Sequence, residues 1–237
     1  MEAWAEDLLT SVKHCDNEVS LFKRVLSAAH ALGFDRCAYG MRMALPITRP
    51  RVFMINNYPL EWRSRYEEAG YLRTDPTVLR GRRSQAPFIW GEPLFGQAPD
   101  FWSEAVSFGL RVGWVQSSLS SGGSSGMLTL SRSGQLLSAS ELCAKEAHMC
   151  WLAHMSHVGF SRILAPQLSP IPLTPLTGRE LEVLKWLADG KTSRDAADIL
   201  GVSIDTVNFH VKNATLKLGA ANKTAAAVRA ALLGLLN

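Results

Sequence analysis

Residues 176–218, LTGRELEVLKWLADGKTSRDAADILGVSIDTVNFHVKNATLKL, divide by their own punctuation into three short helices. Thr177 and Glu180 stand at the spacing of a capping box, in which the hydroxyl takes one free helix N–H and the carboxylate reaches back to another. Behind them Leu181, Val183, Leu184, Trp186 and Leu187 form an apolar stripe, with Gly190 placed as the stop. A second, shorter helix begins at Ser193, carries Ala196, Ala197, Ile199 and Leu200, and ends at Gly201. Val202 and Ser203 make a turn, and Ser203 caps a third helix over residues 204–218. At about 1.5 Å per residue that third helix is about 22 Å long, enough to lie in a DNA major groove. Val207, Val211, Ala214, Leu216 and Leu218 are placed to face a core. The other side offers Asp205, Thr206, Asn208, His210, Lys212, Asn213 and Lys217. Amides, hydroxyls and cations in this mixture suit base and phosphate contacts, although any solvated helix face has a similar composition. A fourth helix over residues 223–236 is nearly all Ala and Leu and has more apolar surface than one face needs, which points to contact with a second copy. The segment reads as an all-α, four-helix domain of helix-turn-helix type.

Just upstream, residues 165–175 (APQLSPIPLTP) hold four prolines. Each removes an N–H and pushes the preceding residue toward extended geometry, so a non-helical, semi-rigid linker is expected. The chain then divides into 1–164, a linker at 165–175, and 176–237, one large domain and one small.

The large N-terminal part mixes helical and strand signals. Residues 18–32 put Val19, Phe22, Val25, Leu26, Ala29 and Leu32 on one helical face, closed by Gly33. Residues 37–43 and 52–55 read as short strands, and 59–69, 75–83 and 100–108 as helices. Two more strands, 112–118 and 127–132, flank the Ser/Gly turn at 120–126, and 140–160 is a long helix. Helices around a small, mostly antiparallel sheet make an α/β/α sandwich of ligand-sensing type, giving an α+β chain overall.

Composition excludes several classes. Hydrophobic residues make up 47% and charged residues 19%, enough to bury a core and against disorder. The first thirty or so residues are helix-like and charged throughout, so no signal peptide and no membrane span are expected and the default compartment is the cytoplasm. Net charge is +4, with 173–237 holding 8 basic and 6 acidic residues, so bulk charge does not argue for nucleic acid and local placement must. Cys15, Cys37, Cys143 and Cys150 form no C-x-x-C pair, and Cys143 and Cys150 read as small core residues. The glycines at 122, 123 and 126 lack the Lys-Ser/Thr of a phosphate loop. His148, His154 and His157 share one helix without ligand spacing, so no metal and no cofactor is expected. With no nucleophile–base pair in evidence, neither is catalysis.

Both halves together resemble one family. Residues 176–218 resemble the LuxR-type helix-turn-helix. Residues 57–90, NYPLEWRSRYEEAGYLRTDPTVLRGRRSQAPFIW, resemble the autoinducer-binding domain of quorum-sensing LuxR regulators, most of all their short, QscR-like members. The resemblance implies an N-acyl-homoserine lactone as effector, a homodimer, and a palindromic promoter element as the double-stranded DNA partner. It also implies roles. Trp62 matches the tryptophan whose indole N–H bonds the lactone carbonyl, and Asp75 the carboxylate that accepts the ligand amide N–H. Tyr58 matches the phenol that reaches the amide carbonyl, and Thr129 stands where the family has Ser or Thr nearby. Trp90 and Tyr66 match an aromatic wall that Phe101 and Trp102 extend. Thr206, Asn208 and Lys212 fall where members contact bases or phosphates. Two positions depart from the pattern: Ala38 replaces a serine that some relatives have near the acyl chain, and Asn208 and Lys212 stand where some have arginine.

The chemistry is reasonable on its own terms. A small polar head on an apolar chain needs an enclosed apolar pocket with a few placed donors and acceptors. Its volume would depend on Tyr39, Met41, Phe53, Ile55, Val78 and Met127. A buried carboxylate without donors is costly, so an empty pocket is expected to leave Asp75 badly served and folding dependent on ligand. Rival readings are a family member that is ligand-independent or senses another small molecule, a phosphorylation-switched regulator, and a lactone-processing enzyme. Residues 1–160 show no acidic cluster for the second, and Cys37 has no evident His partner for the third.

Overall fold

The computed structural model describes residues 3–120, 122–168 and 175–236. In chain order its elements are α1 (Ala3–His14), α2 (Glu18–Ala31), β1 (Arg36–Met43), β2 (Val52–Asn56), α3 (Leu60–Glu68), α4 (Pro76–Gly81), β3 (Phe88–Trp90), α5 (Pro99–Ser107), β4 (Val112–Leu119), β5 (Ser124–Arg132), α6 (Ala139–Leu168), α7 (Gly178–Ala188), α8 (Ser193–Leu200), α9 (Ile204–Lys217) and α10 (Lys223–Leu232). They form two compact units, the first comprising Met1–Arg42, Val52–Ser120 and Ser124–Gln167, the second holding α7 to α10.

The first unit is built on a five-stranded sheet in the order β2-β1-β5-β4-β3, with β1–β2, β4–β5 and β3–β4 antiparallel. Its pleat sorts residues strictly. Trp114 stands opposite Leu130, and its indole N–H reaches Glu146 of α6 at 3.4 Å. Tyr39 stacks on Phe160 of α6 with ring centroids 4.2 Å apart. That face is therefore covered by α6, and behind it α1 and α2 are tied on by Lys145 to the Leu32 carbonyl and Arg162 to the Val12 carbonyl. Val115, next in line, turns the other way into a cluster with Trp62, Phe88, Trp90, Phe95, Phe101, Ala105 and Leu110 from α3, β3, α5 and their connections. Helices on both faces of the sheet make the expected α/β/α arrangement.

Four local readings are corrected. The turn at 120–126 is shorter than its composition suggested, because β5 already starts at Ser124 and Ser125 pairs with Leu119. Gly126 belongs to the strand because of what lies above it: a Cβ there would stand 2.6 Å from the Tyr39 hydroxyl oxygen and would overlap His157. Helix α6 does not stop before the proline-rich stretch but runs through Pro166 to Leu168. In the last turn of a long helix a proline forfeits only one bond, to the Arg162 carbonyl; residues 169–174 of the expected linker lie outside the described residues. Cys143 is exposed and Cys150 half-buried, so neither is a core residue; Cys37 is buried. Val19 is also exposed, and α2 instead buries Leu21 and Ala28 beside Phe22, Val25 and Ala29.

His157 is a buried core histidine. Its Nδ1 meets the Tyr39 hydroxyl and its Nε2 the Ser120 hydroxyl, each at 2.8 Å. Burial, with His154 adding to it, lowers the imidazole to about 4. The ordinary value in an unfolded chain is about 6.5, so between these values only the unfolded chain takes up the proton. Stability is therefore complete above about pH 6.5 and falls by up to about 3 kcal/mol as pH drops toward 4. Urea unfolding at near-neutral pH and at about pH 4.5 checks this, with the acid loss expected to be much smaller in His157→Gln.

The second unit matches its punctuation closely. The Thr177–Glu180 capping box is present, with Thr177 N–H donating to Glu180 at 2.7 Å. A second box, Thr192 with Asp195, starts α8, and Ser203 caps α9. Leu184, Ala214, Leu218, Ala226 and Ala230 form one core and Val183, Ala196, Ala197 and Val207 another. Leu216 does not face the core as expected but is 69% exposed. Helix α10 ends at Leu232, four residues short of the expected 236, with Val228 and Leu232 partly open to solvent.

Candidate functional site

On the side of the sheet away from α6, a cavity of about 950 Å³ opens between the strands and helices α3 to α5. Ala38, Tyr39, Gly40 and Met41 of β1 all border it, Tyr39 while its ring stacks on Phe160 of α6. The partners of Ala38 and Gly40 across the β1–β2 ladder, Asn56 and Met54, line it too. The reading that placed Phe53 and Ile55 in the lining is thus corrected by one residue of strand parity, with Phe53 packing toward Phe160 instead. Val78 and Met127 do line the cavity.

Tyr58, Trp62, Tyr66, Asp75, Trp90, Phe101 and Thr129, seven of the eight expected ligand residues, line this one space. Trp102 does not. It lies one layer back, stacked on Phe95 at 4.9 Å. The aromatic wall is continuous: Trp62 meets Phe101 edge to face at 5.6 Å, and Phe95 stacks on Phe101 at 5.4 Å.

Asp75 closes the polar end. Preceding Pro76, it is the N-cap of α4, and one oxygen accepts from the Thr77 N–H at 2.8 Å and the Thr77 hydroxyl at 2.6 Å. The other accepts the Tyr66 hydroxyl at 2.9 Å. The expectation of a badly served carboxylate is therefore corrected: three donors from the chain itself hold it, and lone-pair room remains for another. Burial raises its pKa, with the Thr77 and Tyr66 bonds pulling the other way. Burial likewise raises the Tyr66 and Tyr58 phenols, and Asp75 is close enough to raise both further.

The unmet demand lies elsewhere. The Trp90 indole N–H is buried and has no hydrogen-bond partner, and the buried Ser131 hydroxyl has none beyond a contact with the Tyr58 phenol. Trp90 lines the cavity, and Ser131, two residues after Thr129 on the same face of β5, lies against the Tyr58 phenol. Sequence reasoning missed Ser131, although strand alternation from Thr129 points to it. Cys37 is fully buried and burial raises its thiol, which leaves it unreactive. Among the described residues no group of His, Cys, Asp or Glu is arranged to hold a metal ion, and no helix is long and apolar enough to cross a membrane.

In the second unit, α9 presents Thr206, Asn208 and Lys212 to solvent, with His210 half-buried beside them. Thr206 also shares the cap, its hydroxyl 2.8 Å from that of Ser203. Lys217 is differently placed. Its ammonium donates to Glu180 at 2.9 Å and to the Pro175 carbonyl at 3.2 Å, tying α9 to the start of α7. Phe209 is 60% exposed on the same helix, an apolar surface residue that the polar reading of this face passed over.

Residues 17–158 match the autoinducer binding domain family, and residues 174–230 match the bacterial regulatory proteins of the luxR family. The transcriptional activator protein AnoR of Acinetobacter nosocomialis is 46% identical over 100% of both chains. The transcriptional activator protein SolR of Ralstonia solanacearum is 40% identical, again over 100% of both. The crystal structure of Escherichia coli SdiA superposes with a TM-score of 0.82 at 31% identity, covering 99% of this chain and 98% of that one. The chain belongs to the LuxR family of bacterial transcriptional regulators, with an autoinducer-binding domain followed by a helix-turn-helix DNA-binding domain.

Proposed function

We propose that the protein is a cytoplasmic quorum-sensing regulator that binds an N-acyl-homoserine lactone and, as a homodimer, a palindromic promoter element. The observation that carries the ligand is the cavity itself, in which Tyr58, Trp62, Asp75 and Thr129 stand beside a wall of apolar and aromatic side chains and the Trp90 indole N–H is buried and unpartnered. An acyl-homoserine lactone has the matching shape, an amide and a lactone carbonyl at the head of an apolar chain. Asp75 accepts the amide N–H with its remaining lone pair. Tyr58, Thr129 and Ser131 serve the amide carbonyl, Trp62 donates to the lactone carbonyl, and the chain lies over Ala38 and Gly40. A solved complex of SdiA with octanoyl-rac-glycerol, 31% identical and covering 99% of this chain, supports an acyl chain with a polar head as the class of ligand.

For DNA, Thr206, Asn208 and Lys212 of α9 enter the major groove, His210 flanks them, and two copies read half-sites about 10 bp apart. Leu216, Val228 and Leu232, partly or mostly exposed on α9 and α10, supply the apolar surface for the second copy.

The test is thermal unfolding of the full chain against lactones of increasing chain length. A ligand at 100 times its Kd adds about 2.7 kcal/mol, a rise of about 5–10 °C in Tm for a chain of this size. Trp62→Phe keeps the packing and removes the indole N–H, so it is expected to weaken the best lactone about tenfold. A folded protein indifferent to every lactone overturns the ligand assignment. Unchanged operator binding in both Asn208→Ala and Lys212→Ala overturns the assignment of the reading face.

A further inference from the structure

Helix α9 carries an exposed aromatic side chain that the DNA reading given above does not use. Phe209 is 60% exposed, and as the sixth residue of the helix it stands among the groups assigned to DNA. The buried residues Val207, Ala214 and Leu218 mark the inner side of α9. At about 100° per residue, Phe209 lies about 140–180° round the axis from all three, so it projects from the middle of the outer face. Its neighbours there, three and four residues away, are Asp205, Thr206, Lys212 and Asn213, all of them polar. Leu216, exposed on the same side, is two turns further on, about 10 Å along the axis. Phe209 is therefore not the edge of an apolar patch. It is a single ring enclosed by polar side chains, and it is propped: the half-buried His210 meets it edge to face with centroids 5.6 Å apart.

A benzyl group has no donor or acceptor, so neither a phosphate nor a hydrogen-bonding base edge gains a bond from it. Set over the amine of cytosine or the acceptors of guanine, it would strip their water and give nothing back, the penalty of an unmet hydrogen bond. The major groove presents one apolar feature, the methyl group of thymine. In a helix-turn-helix the N-terminal part of the second helix is what meets base edges, and Phe209 sits in that part of α9. We propose that Phe209 is a specificity-determining residue for DNA, its ring packing on the methyl group of one thymine in each half-site. This rests on α9 being the helix that reads the major groove. It adds to that reading a choice of thymine and a rejection of cytosine at one position.

The test begins with duplexes selected from random sequence by the full chain, alone and with a mixture of short- and long-chain lactones. Anisotropy then compares the selected duplex with copies in which each thymine in turn is replaced by deoxyuridine, an exchange that removes one methyl group and leaves base pairing intact. At one thymine per half-site the exchange is expected to weaken binding about fourfold, and about fifteenfold when made in both half-sites. Phe209→Ala is expected to show about the same loss on the thymine duplex and to be indifferent to the exchange, while Phe209→Leu keeps part of the preference. Because Phe209 points away from the core, the alanine variant is expected to unfold within about 3 °C of the wild type. No thymine whose methyl group matters, or a methyl effect that persists in Phe209→Ala, overturns the proposal. If Asn208→Ala and Lys212→Ala still weaken binding in that case, the reading helix stands and only Phe209 loses its role. If they do not, or if no sequence is selected, the reading itself falls and the proposal with it.

Discussion

Glu180→Ala is expected to weaken operator binding severalfold and to leave the DNA-binding domain close to its unfolding midpoint. The Glu180 side chain is 3% exposed and holds the start of α7 and the end of α9 together. It closes the capping box of α7 through the Thr177 N–H and takes the Lys217 ammonium from the end of α9. Burial alone would raise its pKa, but the bonds from Lys217 and Thr177 outweigh it and hold the carboxyl below the usual range. Removing it loses a cap, about 1 kcal/mol, and strands part of a nearly buried ion pair, bringing the cost to about 3 kcal/mol. A helical domain of this size rests on only about 3–5 kcal/mol, so about 0–2 kcal/mol remain and up to about half of the molecules lose the α7–α9 packing. Fluorescence anisotropy with operator DNA checks the loss of binding, and hydrogen exchange over 176–236 checks its cause. Wild-type protection in a variant that binds DNA more weakly would show that Glu180 acts at the interface and not in the fold. Glu180→Gln, which retains an acceptor for the cap, is expected to fall between.

The second large effect is expected from Gly113→Ala. Gly113 pairs with Trp90 across β3–β4, and the indole lies flat over the space where a side chain would be. A Cβ would stand 2.5 Å from Cζ2 of the ring and overlap the Leu130 carbonyl oxygen, which is backbone and has no rotamer to change. Trp90 itself is 5% exposed and stacked edge to face against Phe95, so it has nowhere to go except into the cavity. The expected cost is about 3 kcal/mol, a fall of about 6–12 °C in Tm, together with loss of ligand stabilisation because the displaced ring fills the binding space. A variant that unfolds at the wild-type temperature and still responds to ligand would refute this account of the wall.

How much of this could be read beforehand follows from the range of the forces involved. The caps at Thr177 and Ser203 and the stop at Gly190 were legible because each is satisfied within four residues of itself. The linker expectation failed at 165–168 for the same reason in reverse. Local proline chemistry disfavours a helix, but a helix already thirty residues long tolerates one missing donor near its end. Strand β3, with three residues, is too short to show a period and was not anticipated. Leu216 shows the limit of apolar periodicity, which identifies a stripe without saying whether this chain or another covers it. Seven of the eight cavity residues matched by motif converged on one space, and of those chosen by apolarity Tyr39, Met41, Val78 and Met127 border it while Phe53 and Ile55 of β2 do not. Phe53 packs toward Phe160 of α6 instead, and the floor left beside Tyr39 and Met41 is small because Ala38 and Gly40 are. The buried Ser131 hydroxyl needed the register of β5 to be seen at all.

The make-up of β1 has a consequence for how such a receptor can diversify. Along β1 the large buried Tyr39 and Met41 alternate with the small Ala38 and Gly40, and all four border the cavity. A side chain added at Ala38 or Gly40 would shorten or reshape the trough while Tyr39 and Met41 keep their places. The small positions 38 and 40 are thus where the trough can be reshaped with least cost to the core, whereas a change at Tyr39 or Met41 would alter cavity and packing together.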